Sequence, residues 1–220
     1  MYTQQQMLED IARDAELTAE MTGRQAFSEV VMDAMATVPR NLFVDDEQAS
    51  QAFYNIPLCI GHGQTISQPY IVALMTDLIN PQPEHICLEL GTGSGYQAAV
   101  LSLLVRRVYS VEIVPALHRQ AAARLRKLGY DNIDCLLGGE QLGDSEHAPY
   151  DAILVTAAAD PFPEPLLTQL KPGGRMVIPV GSEGFGQVLY LVKKSIQGTV
   201  SRHPLLAVRF VPLIAARQSP

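Results

Sequence analysis

From residue 85 the chain repeats one arrangement of short aliphatic runs spaced by helix-like stretches. The runs are HICLEL (85–90), RVYSVE (107–112), NIDCLL (132–137), YDAILV (150–155) and RMVIPV (175–180). Helical stretches fall at 95–104, 116–128 and 162–170, the last ending at a Lys-Pro-Gly-Gly turn over 171–174. Strands alternating with helices predict an α/β fold, a mostly parallel sheet flanked by helices on both faces. The tail runs GQVLYLVKK and LLAVRFVPLI have no helix between them, so they are expected to add an antiparallel pair at the sheet edge.

The first 80 residues read differently. Met7, Ile11 and Ala15 mark a helix from about 4 to 22. Thr22 with Gln25 resembles a capping box opening a second helix that runs to Val38, where Pro39 stops it. Residues 39–66 are loop-rich, and a third helix begins near Ser67–Pro69 with Ile71, Leu74, Met75, Leu78 and Ile79 along one face. Three helices are too few to bury a core alone. We therefore expect a single domain over 1–220: an N-terminal helical cap and substrate loop region (1–80) on an α/β core (81–220).

Composition narrows the partners. A net charge of −7 over 220 residues argues against a nucleic-acid surface, whose footprint is a basic patch. Small basic clusters at Arg124–Lys127 and Lys193–Lys194 read as solvated faces. The N-terminus lacks a basic segment followed by an apolar one, and no apolar run approaches the ~20 residues of a membrane helix. Cys59, Cys87 and Cys135 stand singly among aliphatic neighbours, without the C-x-x-C spacing of a zinc or redox site. A cytoplasmic protein with buried thiols and no metal is the expectation.

The ligand is read from LELGTGSGYQ (88–97). A strand carrying Glu89 ends there, and the chain turns through Gly91, Thr92, Gly93, Ser94 and Gly95 into a helix. Closely spaced glycines let the backbone approach a ligand, and the carboxyl ends of strands in an open α/β sheet form the usual crevice. A dinucleotide fingerprint G-x-G-x-x-G would need glycine where this chain has Tyr96. The pattern is E-x-G-x-G-x-G. A carboxylate beside the turn is awkward for a diphosphate and suits a ligand carrying an ammonium and a sulfonium, which is S-adenosylmethionine. Glu112 ends the second strand, 17 residues beyond Gly95, where it can accept from both ribose hydroxyls, a feature that NAD would share.

These segments, with VPRNLFV (38–44), IGHGQTISQPYIVALMT (60–76), APYDAILVTAAA (148–159), LKPGGRMVIPVG (170–181) and VRFVPL (208–213), resemble the protein-L-isoaspartate (D-aspartate) O-methyltransferase family over nearly the whole chain. The glycine turn is shared by many methyltransferases; QTISQPY and VRFVPL are the more specific parts. The resemblance implies a Rossmann-like fold and transfer of a methyl group from S-adenosyl-L-methionine, leaving S-adenosyl-L-homocysteine. The acceptor is the stray carboxylate of L-isoaspartyl, and less efficiently D-aspartyl, residues in age-damaged proteins and peptides. The methyl ester then collapses to a succinimide, whose hydrolysis returns some normal aspartate.

The resemblance also implies site roles. Thr65 and Ser67 hold the substrate carboxylate or main chain, Ile66 is substrate-binding, His62 contacts the peptide, and Arg209 organises the groove. For His62 a hydrogen-bonded loop residue, and for Arg209 a strand-face arginine, are the plain alternatives. The family usually carries Gly-Asp-Gly after the third strand, near the adenine; here Gly138, Gly139 and Glu140 stand there. Either Glu140 supplies a displaced carboxylate or backbone groups suffice. The chain also lacks the tryptophan common a few residues on, and has Asn41 where the family often has histidine. A monomer, without nucleic-acid or membrane partners, is expected. A methyltransferase retargeted to one peptide, and a binding homologue impaired in cofactor binding, stay open.

Overall fold

A computed structural model describes residues 2–182 and 185–214. The first helix, α1 (Gln4–Leu17), opens on a capping box: the Gln6 N–H donates to the Thr3 hydroxyl at 3.2 Å, and the Thr3 N–H donates to the Gln6 side chain at 2.9 Å. A short α2 (Ala19–Thr22) ends at Gly23, whose φ of 68° a side chain would resist. The box expected at Thr22 therefore does not form. The Thr22 hydroxyl bonds back to the Thr18 carbonyl, and α3 (Glu29–Thr37) starts only after Asp77 has accepted the Ser28 N–H at 2.9 Å.

Two 3₁₀ turns, Arg40–Phe43 and Asp46–Gln51, lead into a small hairpin of β1 (Leu58–Cys59) and β2 (Thr65–Ile66). Then α4 (Pro69–Leu78) begins with proline in its first turn, and every one of its residues is buried. A helix this largely apolar lies inside the molecule, and its polar Thr76 and Asp77 are hydrogen-bonded there. It packs against α1 and α3, so these N-terminal helices share one apolar cluster with the sheet face carrying Cys87, Val108, Ala152 and Val177.

The α/β part follows in order: β3 (Ile86–Leu90), α5 (Tyr96–Ser102), β4 (Arg107–Glu112), α6 (Pro115–Lys127), β5 (Ile133–Leu137), β6 (Tyr150–Val155), α7 (Pro165–Gln169), β7 (Leu170–Ser182), β8 (Gly186–Lys194) and β9 (Val200–Val208). They form a seven-stranded sheet ordered β5-β4-β3-β6-β7-β8-β9. The pairs from β5 through β7 are parallel, and β7-β8-β9 are antiparallel, as the tail runs implied. Chain order reverses between β3 and β6, and the crevice of such a sheet opens at that point.

Two local expectations change. Lys-Pro-Gly-Gly is not a turn but part of β7: the pairing steps from Tyr150–Leu170 to Ala152–Arg175, so a bulge on β7 absorbs these residues. Lys194 is not a solvated charge either, since its Nζ donates to the carbonyls of Leu167 and Leu170 at 2.8 Å each.

Candidate active site

The strand ends at the switch point are tied together by backbone bonds. The Gly91 N–H donates to the Val111 carbonyl at 2.8 Å, and the Thr156 N–H donates to the Leu90 carbonyl at 2.9 Å. Gly138, just past β5, donates to the Glu112 carbonyl at 2.8 Å. Their divergence leaves a cleft open to solvent, with about 740 Å³ of space between its walls and mouth.

The glycine turn forms the cleft floor. Gly91 has φ 95°, and a Cβ there would run into the Thr156 hydroxyl, which lies 2.7 Å from the Gly91 carbonyl oxygen. Only glycine meets both demands. The Gly95 N–H closes the turn on the Thr92 carbonyl at 2.8 Å and starts α5. Arg124, half-buried on α6, donates to the Ser94 carbonyl at 2.8 Å. Its basic cluster is therefore not wholly a solvated face.

Glu112 lines the cleft and is almost fully buried. One carboxylate oxygen accepts the Gly93 N–H at 2.8 Å and the other accepts the Val114 N–H at 2.9 Å. A carboxylate has about four acceptor positions, so roughly half its capacity is left for a ligand.

Glu89 behaves otherwise: contrary to expectation, its carboxylate does not face the cleft. Side chains alternate along β3, with Leu88 and Leu90 in one apolar cluster and Cys87 in the other. Glu89 shares the Cys87 side, is fully buried, and is absent from the cleft lining. It accepts from the Ser110 hydroxyl, which lies 2.6 Å from that of Thr92. Burial, aided by repulsion from Glu112, pushes its pKa up to about 8 against the Ser110 hydrogen bond. At neutral pH it is mostly uncharged and braces the turn from beneath.

The segment over 60–70 resolves into three parts. Gly61, His62 and Gly63 all have positive φ and make the hairpin tip, where His62 (φ 52°) is exposed and lies outside both cavities of the site. Thr65 and Ile66 form β2, and Ser67 leads to α4. The helix cap is not Ser67. Gln68 holds that position without a side-chain bond, while Asn55 accepts the Tyr70 N–H at 2.9 Å. Thr65, Ile66 and Ser67 instead line a recess of about 300 Å³ beside the cleft, together with Thr92, Ser94 and Tyr96. Cleft and recess share Thr65, Gly91, Gly93 and Thr156.

Gly139 and Glu140 line the cleft. Arg209 does not: it is exposed just past β9, and the residues that follow it, Val211–Ile214, form the cleft wall. Ala158 and this tail are laced together, Ala158 N–H to the Val211 carbonyl at 2.8 Å and Leu213 N–H to the Ala158 carbonyl at 2.7 Å. Sequence reasoning missed Gln64, Thr156 and the tail wall. Thr156 had a signal, standing directly after the strand YDAILV where ligand residues gather.

Comparison with known proteins identifies the family and the fold. The family model for protein-L-isoaspartate(D-aspartate) O-methyltransferase matches residues 12–218. Protein-L-isoaspartate O-methyltransferase 1 of Cupriavidus necator is 56% identical over 208 residues, covering 94% of this chain and 80% of that protein. Protein-L-isoaspartate O-methyltransferase 2 of a Polaromonas species is 56% identical over 211 residues, 96% and 100% of the two chains. A crystal structure from Plasmodium falciparum, assigned as a protein-L-isoaspartate O-methyltransferase in complex with S-adenosyl-L-homocysteine, covers 97% of this chain and 99% of its own. Its TM-score is 0.79 and, at 24% identity, it shows the shared fold. The chain belongs to the protein-L-isoaspartate(D-aspartate) O-methyltransferase family.

Proposed function

We propose that this protein transfers a methyl group from S-adenosyl-L-methionine to the free carboxylate of L-isoaspartyl, and to a lesser degree D-aspartyl, residues in damaged proteins and peptides. Family membership supports the reaction. The observation that carries the site assignment is Thr65, which borders the cleft and the recess at once.

The cleft fits the cofactor. The glycine floor admits close backbone approach, Glu112 has acceptor capacity to spare for ribose hydroxyls, and Gly139 and Glu140 edge the far side. These features support cofactor binding over a binding homologue impaired in it. Glu140 stands in for the family aspartate as the carboxylate on that edge. Bound S-adenosyl-L-methionine supplies an activated methyl group on a sulfonium.

The chain itself need not supply a base. A substrate carboxylate with an ordinary pKa near ~4 is already ionised at neutral pH. The remaining work is alignment and exclusion of water, and alignment alone is worth roughly 7–11 kcal/mol in favourable intramolecular reactions. Thr65 and Ser67 donate hydroxyl hydrogen bonds that hold the carboxylate in the recess, and Ile66 packs against it. His62 at the hairpin tip and Arg209 beside the tail wall contact the flanking peptide. The segment 39–66 shields the reaction from water. One domain over 1–220, monomeric and cytoplasmic, completes the reading. Among the described residues no helix is long and apolar enough to cross a membrane, and the acidic charge supports a surface that does not take nucleic acid.

The test is transfer from labelled S-adenosyl-L-methionine to two peptides differing only in isoaspartate versus aspartate. Label in the isoaspartyl peptide alone is expected. Equal labelling of both, or of neither, rejects the reading.

A further inference from the structure

Arg40 is a buried cation with an unusual set of partners. Its side chain is fully buried in the turn after Pro39, and none of the ion pairs among the described residues involves it. It is bonded instead to main-chain carbonyls. Nη1 donates to Ala52 and lies 3.5 Å from the Tyr54 oxygen, while Nη2 donates to Ile56 and Ser67 at 3.0 Å each. Its guanidinium carbon also sits 5.9 Å from the ring centroid of Tyr96, which lines the same recess as Ser67.

Burying a guanidinium without a carboxylate is costly until its hydrogen bonds offset the lost hydration. An apolar side chain would fill the same space without that cost. What it would not do is gather carbonyls from 52–56 and from residue 67 around one rigid guanidinium fork, as Arg40 does. The Ser67 carbonyl is fixed by this fork at the junction between β2 and α4, and its position sets where the Ser67 hydroxyl and the Thr65 side chain stand over the recess.

We propose that Arg40 is the positioning residue of the acceptor side, holding the Thr65–Ser67 segment in the geometry that receives the substrate carboxylate. The proposal rests on the reading of Ser67 given above. Burial lowers the Arg40 pKa to about 10, so the fork stays charged under assay conditions near neutrality.

The test is a double-mutant cycle of R40K with Ser67→Ala, read by steady-state kinetics on an isoaspartyl peptide and by calorimetry with S-adenosyl-L-homocysteine. Lysine keeps the charge but loses the planar fork. R40K is expected to lower kcat about 10-fold or more with S-adenosyl-L-homocysteine affinity held within about 2-fold, and most of that penalty should vanish in the Ser67→Ala background. R40M should be more severe on kcat and, lacking a buried charge, serves the same cycle if R40K does not fold. An unchanged penalty in the Ser67→Ala background, or a parallel loss of turnover and S-adenosyl-L-homocysteine binding, overturns the proposal and leaves the Ser67 reading standing. A Ser67→Ala enzyme with full turnover sinks the Ser67 reading, and this proposal with it.

Discussion

The turn Gly91–Gly95 and the segment Thr65–Ser67 adjoin one crevice, yet they are held by different means. The glycine turn is fixed by its immediate neighbours in the sheet: Val111, Glu112 and Thr156 are all at strand ends, and the bonds are mostly backbone. The Thr65–Ser67 segment has a two-residue strand and is anchored by a side chain far away in sequence, Arg40, while Asn55 accepts the Tyr70 N–H just beyond it. Such a division separates cofactor affinity from acceptor positioning. Damage to the first region should appear in binding, and damage to the second in turnover.

The largest effect is expected at Glu112. Glu112→Ala removes acceptors for two backbone N–H groups and for the ribose, and should weaken S-adenosyl-L-homocysteine binding about 100-fold or more by calorimetry. Gly91→Ala comes next: positive φ and the collision with Thr156 should weaken the same binding roughly 10- to 100-fold in a protein that still folds. Ser67→Ala should behave oppositely, lowering kcat about 10-fold or more with S-adenosyl-L-homocysteine affinity nearly unchanged. A loss of affinity in that variant would break the comparison.

The smallest effect concerns stability. Glu89 has its folded pKa raised to about 8 from an ordinary 4.5, so the folded state keeps a proton that the unfolded state releases between those values. Its contribution to stability therefore falls as pH rises through that window and levels off above it. Glu89→Gln keeps an acceptor for Ser110 without the ionisation. Relative to the parent it should gain roughly 3–10 °C in Tm between pH 5 and pH 9, measured by thermal melts. Parallel melts across that range would show that burial does not hold the proton on Glu89.

What the sequence made legible follows the same divide. RVYSVE and YDAILV coincide with β4 and β6, and the glycine turn falls where the motif put it, because strand runs and tight turns are written in neighbouring residues. The second helix shortens to Glu29–Thr37 because Asp77, on another helix, takes over its start. Glu89 was misjudged because a motif gives spacing without the face on which an alternating strand presents each residue. Arg40 and the tail wall were hidden, since nothing local announces a guanidinium that gathers carbonyls from residues 52 to 67.

The most direct measurement follows an isoaspartyl peptide to the end of the cycle, separating isoaspartyl, methyl ester, succinimide and aspartyl forms by chromatography. Methyl ester is expected first, then succinimide, then a rising share of normal aspartyl peptide, all dependent on S-adenosyl-L-methionine. A peptide that stays isoaspartyl, or an aspartyl control esterified at the same rate, would contradict it.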